Sequence, residues 1–258
     1  MPSIKAYELC PHGIFVEPDM ESYIEYSEKV MNILYDFSPD VLQLSIDEAC
    51  LDMTGTERLF GPPEEAAKKL KDRVKNETGL TISVGIASNS YLAKICSEIK
   101  KPDGMFCVKP GQEEDFMSKL PLKDVWGVGE KTLQRLESLG FKTVKDISIH
   151  SKAFLESIFG KASSSFLYNV SRGLEPENFR SEPKSHSLSR ETTFEFDLTD
   201  INTIETALLD LSEQVTYRLL NSSITSKTVQ LKIRYEDFTT VNCQQTYETP
   251  ILCTADLY

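Results

Sequence analysis

Asp47 and Glu48 stand side by side between two short apolar runs, residues 41–46 and 49–53, with Asp52 further along the second run. Adjacent carboxylates at a strand junction offer hard oxygen ligands that a divalent cation and a substrate phosphate can share. In phosphoryl transfer such ions stabilise both the attacking and the leaving oxygen. Two acids at a hairpin also make an ordinary solvated turn, and the pair alone does not choose between the two. Asp52 lies an odd number of residues from Asp47, which on a pleated strand puts it on the opposite face. A second cluster, IKKPDG at 99–104, sets Lys101 just past a helical pattern. There its ammonium either complements the helix dipole or serves as a point charge on a triphosphate.

The third constellation is more specific. PLKDVWGVGEKTLQRLESLG at 121–140 spells a short helix ending at Trp126, a tight turn at Gly127-Val128-Gly129, and a second helix from Glu130 that packs Leu133, Leu136 and Leu139 before Gly140. This is the pattern of a helix-hairpin-helix. Paired glycines remove side chains where backbone amides must approach a phosphate, and the next helix, bearing Lys131, adds its positive end. Such an element grips backbone rather than bases, so contact with nucleic acid is expected to be independent of sequence.

The elements that must position these residues follow from spacing. Apolar residues three and four apart predict helices over 20–35, 64–75 and 92–100, the last capped by Ser88, Asn89 or Ser90. Alternation predicts short strands over 41–46, 49–53 and 81–87. KPDG at 101–104 reads as a turn, with Gly104 taking the positive φ. Residues 113–173 read as short helices broken at Pro121, Gly127, Gly129, Gly140 and Gly160, and 174–187 as a polar linker. A strand near 191–196, a helix over 201–220 and strands over 228–235 and 239–247 close the chain. The aromatics Phe166, Tyr168, Phe194, Phe196, Tyr235 and Phe238 are assigned to core packing rather than base stacking.

Composition bounds the rest. The 258 residues, 40% hydrophobic and 26% charged, describe a globular chain of one large or two to three small domains. No apolar run reaches membrane-spanning length and no signal peptide opens the chain, so the cytoplasm is the expected compartment. Six scattered cysteines and three isolated histidines draw no zinc framework, and the cysteines are expected as free thiols. The net charge of −12 argues against a nucleic-acid partner until it is divided by region. Lysines and arginines number 13 against 21 acids over residues 1–120, 9 against 8 over 121–183, and 6 against 11 over 184–258. The segment with the Gly127–Gly129 turn is the one part without an acidic excess.

Together these motifs resemble the Y-family of translesion DNA polymerases, of the DinB type. LSIDEACLD at 44–52 looks like the family's palm motif, with Asp47 and Glu48 as catalytic-metal acids. SNSYLAKI at 88–95 through Lys101 looks like the second palm motif, its lysine touching the incoming triphosphate. The helix-hairpin-helix falls where the family's thumb has one, and Lys184, Ser185 and Arg190 resemble the opening of the DNA-gripping little finger. The resemblance implies an α+β fold: a palm remnant of mixed helices and antiparallel sheet, a small helical thumb, and an α/β little finger. The domains would run 1–19 (end of the fingers), 20–109 (palm), 110–175 (thumb), 176–184 (linker) and 185–258 (little finger). It implies nucleotidyl transfer from a dNTP to a primer 3′-OH past damaged bases, with two Mg²⁺ ions or Mn²⁺ in their place. Implied partners are primer-template DNA, dNTP and a sliding clamp whose binding peptide lies beyond this sequence; the chain is expected to be a monomer. The first metal-binding aspartate and most of the fingers are expected to lie outside the sequence, as is the end of the little finger. By itself the chain is then expected not to extend a primer, and a noncatalytic DNA-binding remnant is the alternative. Ser90 stands where the family commonly has lysine, which implies a weakened phosphate contact. Cys50 stands where an aromatic is common, a packing variation.

Overall fold

Pro2 begins a short helix α1 (Ser3–Leu9), and Asp19, whose side chain accepts the Ser22 amide, caps the long helix α2 (Met20–Phe37). The buried stripe Met31, Ile33, Leu34 and Phe37 packs on Leu70 and Val74 of α4 (Pro63–Thr78), which follows the single turn α3 (Glu57–Phe60). Strands β1 (Val41–Gln43) and β2 (Ala49–Leu51) pair antiparallel and lay Val41, Ala49 and Leu51 against this core. In the computed structural model the described residues are 2–177, 179, 187–222 and 224–258.

Strand β3 (Val84–Ile86), helix α5 (Ser90–Ile99) and strand β4 (Met105–Cys107) form a parallel crossover. The expected antiparallel sheet is therefore only half right. With a helix between the two strands the chain returns to the same end before pairing, which makes the pair parallel. Asn89 is the α5 cap, its side chain accepting the Leu92 amide.

A second core joins α5 to the helices that follow. Tyr91, Leu92 and Ile95 pack with Met117 of α6 (Glu113–Lys119), Leu136 of α7 (Glu130–Ser138), Val144 and Ile147 of α8 (Val144–Ser148), and Leu155 and Leu167 of α9 (Lys152–Val170). Ahead of the Gly127–Gly129 turn stands only a 3₁₀ turn, Leu122–Asp124, rather than a helix reaching Trp126. Leu136 is fully buried, but Leu139 is half exposed. The chain leaves the helix there, with the Gly140 and Phe141 amides returning to the Glu137 and Leu136 carbonyls.

The described residues divide into two compact units, 1–181 and 182–258. In the second, helix α10 (Ile201–Asn221) precedes a long antiparallel pair, β5 (Ser226–Arg234) and β6 (Thr240–Ile251), and a terminal turn α11 (Thr254–Leu257). Residues 191–196 have the alternating pattern of a strand but no regular structure, because no described strand lies alongside to take their backbone hydrogen bonds. The two sides of the expected linker, Lys184 and Ser185 included, lie partly or wholly outside the described residues. All six cysteines are free.

Candidate functional site

The loop between β1 and β2 is closed by its own backbone: the Leu44 and Ser45 amides both donate to the Glu48 carbonyl, at 2.8 and 3.2 Å. Ser27 on α2 donates to the Ile46 carbonyl at 2.5 Å and ties the loop to the helix. Within it the Ser45 hydroxyl donates to Asp47 Oδ1 at 2.6 Å, leaving the Asp47 carboxylate at the surface. Glu48 turns the other way and accepts Lys94 Nζ at 2.8 Å.

Lys94 lies on α5 with only 8% of its side chain exposed. It also donates to Glu98 Oε1 at 3.0 Å, and Glu98 in turn accepts Lys101 Nζ at 2.7 Å. The two motifs are thus joined by one alternating chain of charge, Glu48, Lys94, Glu98 and Lys101. Burial opposes the Lys94 charge, yet the bonds from Glu48 and Glu98 outweigh it and hold its pKa above the ordinary lysine value. Lys101 holds the Glu98 carboxyl below the usual range, with Lys94 assisting against a smaller opposing effect of burial. The sequence reading passed over Lys94. Its signal was a lysine on the apolar stripe of Tyr91, Leu92 and Ile95, a place a charge occupies only with an anion beside it.

The loop carrying Lys101 is clamped from α4. Lys71 Nζ donates to the Asp103 carboxylate at 2.5 Å and to the Asp103 and Ile82 carbonyls at 3.0 and 2.5 Å. The positive φ falls on Asp103 (51°) and not on Gly104 as expected. Gly104 is required for closeness instead: a Cβ there would stand 1.9 Å from the Lys100 carbonyl oxygen.

At the Gly127–Gly129 turn, Gly127 has φ 92° and Val128 is buried, while Gly129 and Lys131 face solvent. Neither the Gly127 nor the Gly129 amide donates a hydrogen bond among the described residues. Two amides and an ammonium so placed are donors available to a phosphate. Ser90 and Cys50 meet each other, the thiol 3.9 Å from the Ser90 carbonyl, and the Ser90 amide is held by Glu175 Oε1 at 3.0 Å. In the second unit Arg190 is exposed. Phe166 and Tyr168 pack against the core as expected, but Phe194, Phe196, Tyr235 and Phe238 are exposed. Of these, Phe194 lies beside Thr203 and Ala207 of α10 without being covered by them.

Asp47 and Glu48 have the donor chemistry of a hard-cation site. Among the described residues no group of three or more candidate ligands gathers, so the pair fits as one part of such a site. No described helix is long and apolar enough to cross a membrane.

Residues 1–98 match the impB/mucB/samB family, residues 123–175 the thumb domain of DNA polymerase-iota, and residues 185–258 the impB/mucB/samB family C-terminal domain. DNA polymerase IV of Treponema denticola is 50% identical over 246 residues, which cover 95% of this chain and 62% of that protein. DNA polymerase IV of Desulfotalea psychrophila is 38% identical over 257 residues, covering 100% of this chain and 68% of that protein. The chain therefore spans less than two thirds of the Treponema protein's length. Among solved structures, a Y-family DNA polymerase chimera of Dbh and Dpo4 superposes with a TM-score of 0.83 at 26% identity, covering 99% of this chain and 73% of that one. An acidic pair in the β1–β2 loop, a lysine loop linked to it through the buried Lys94, and these relatives along nearly the whole sequence make the chain a member of the Y-family of DNA polymerases, of the DinB or DNA polymerase IV type.

Proposed function

We propose that the protein carries out template-directed DNA synthesis past damaged bases, transferring a nucleotide from a dNTP to a primer 3′-OH. The observation that carries this is the charge chain from Glu48 through the buried Lys94 and the half-exposed Glu98 to Lys101, which ties one carboxylate of the acidic pair and the Lys101 ammonium into one frame. Asp47 and Glu48 would hold Mg²⁺, two ions in the working site, with Mn²⁺ able to replace it. The bound ions would offset charge on the transferred phosphate. Lys101 serves as the point charge on the triphosphate, and Lys94 keeps the Glu48 carboxylate aimed. We read residues 110–175 as the thumb, whose Gly127, Val128 and Gly129 turn and Lys131 hold the duplex backbone. Lys184, Ser185 and Arg190 open the little finger and give a second grip. The compartment is the cytoplasm, and the working form a monomer.

Single-nucleotide primer extension, run with Mg²⁺ and with Mn²⁺ on the product of the complete reading frame, tests this. Asp47→Ala combined with Glu48→Ala should abolish extension with either ion while leaving duplex affinity within about twofold. Extension surviving in the double variant would remove the acidic pair from the reaction.

A further inference from the structure

The turn at Gly127 is held from beneath by a core residue of α5. Tyr91, the second residue of α5, is fully buried, and its hydroxyl donates to the Trp126 carbonyl at 2.7 Å. Its ring meets Trp126, Phe166 and Phe179 edge-on, with centroids 5.6 to 6.3 Å apart. Phe166 also fills the space over Gly127, where a Cβ would lie 2.7 Å from the ring. The Trp126 carbonyl and the Gly127 N–H belong to one peptide unit, and that unit is trans, the Lys101–Pro102 bond being the cis one among the described residues. In a trans peptide the two groups point in opposite directions. A carbonyl drawn inward to the Tyr91 hydroxyl therefore turns the Gly127 N–H outward.

We propose that Tyr91 is a positioning residue for DNA contact: its hydroxyl sets the 126–127 peptide plane so that the Gly127 amide is presented to a phosphate oxygen. Tyr91 is itself fixed, because Glu175 Oε1 accepts the Ser90 and Tyr91 amides at 3.0 and 3.3 Å and Asn89 Nδ2 donates to the Gly173 carbonyl at 2.9 Å. Burial pushes the phenol well above its ordinary pKa, so it remains a donor across the working range. A phenylalanine would fill the same space and leave the plane free to rotate. This inference rests on the reading that the turn touches DNA.

The test compares wild type, Tyr91→Phe and Val74→Ala on the whole protein. Val74 is fully buried in the other core, away from the turn, and serves as a control for lost stability. Duplex affinity is read by fluorescence anisotropy well below the melting temperature, and the order of the Gly127 amide by its heteronuclear NOE. Tyr91→Phe should weaken duplex binding about five- to tenfold, equivalent to roughly one lost hydrogen bond, and lower the Gly127 NOE; Val74→Ala should change neither. In wild type, duplex should move the Gly127 and Gly129 amide resonances, a readout that does not depend on how the variant folds. Affinity and NOE unchanged in Tyr91→Phe, or an equal loss of affinity in Val74→Ala, would overturn the inference while leaving the DNA-contact reading intact. Wild-type amides that ignore saturating duplex would overturn both.

Discussion

Lys94 illustrates what a single residue does here. An ammonium this buried is stable only between two carboxylates, so removing it costs more than one bond: Glu48 and Glu98 are left facing each other without a cation. Lys94→Met is expected to lose about 1–2 kcal/mol, and Lys94→Arg less, as read by thermal or denaturant melts. The pH dependence follows from the direction of each shift. The raised Lys94 pKa contributes stability that is complete below the unfolded lysine value of about 10.4 and is lost as pH climbs through the folded one. The lowered Glu98 pKa contributes stability present above the unfolded value of about 4.3 and lost as pH falls through the folded one. Between those limits the network's contribution should be flat in wild type, and in Lys94→Met only the Lys101–Glu98 bond of it should remain. Lys101 belongs to a different class, because it is half exposed and bonds one partner. Lys101→Ala should raise the nucleotide KM or lower kcat/KM, with duplex affinity nearly unchanged; wild-type kinetics would return it to helix capping. Asp47, Glu48 and Lys101 were picked out as candidates in the sequence because motif spacing marks them. Lys94 was not, since its meaning lies in a carboxylate 46 positions away in the chain.

At the scale of elements the turn between Trp126 and Glu130 separates two kinds of glycine. Gly127 adopts a left-handed φ and is roofed by Phe166, so Gly127→Ala should lower the melting temperature as well as DNA affinity. Gly129 has an ordinary φ of −77° and nothing within 4 Å of a built Cβ. Gly129→Leu should therefore melt like wild type but bind duplex more weakly, because its side chain stands where the phosphate must approach. Affinity equal to wild type in Gly129→Leu would show that no phosphate comes close. The helices over 20–35, 64–75, 92–100 and 201–220 were readable to within a few residues, since three-four spacing and the Asn89 cap of α5 are local facts. The strand expected over 191–196 was not, because alternation becomes a strand only beside a partner. Lys232 does reach Glu191 across to this segment, but through side chains alone. Likewise the parallel pairing of β3 with β4 is decided by α5 between them and not by either strand's composition.

For the whole molecule, a net charge of −12 sets the terms on which any polyanion is bound. Contact through amides and a few cations releases few counterions. With Lys131, Lys184 and Arg190 as the contributing cations, at about 0.9 per neutralised phosphate, the slope of log affinity against log salt should be no steeper than about −3. A titration of duplex binding over moderate salt checks this, and a much steeper slope would require cations not yet assigned. The family was legible from four ordered motifs, whereas the uncovered aromatics Phe194, Phe196, Tyr235 and Phe238 were not: hydrophobicity says that a residue seeks cover, and only the surrounding layers say whether it finds any. Trp126, half exposed at the turn and bonded through its carbonyl to Tyr91, is the single tryptophan in the chain. The protein accordingly carries its own optical reporter. Selectively excited indole emission comes from one place, so a nucleic-acid strand settling on Gly127 would register as a change in colour or brightness without any attached dye, and stopped-flow mixing would time its arrival.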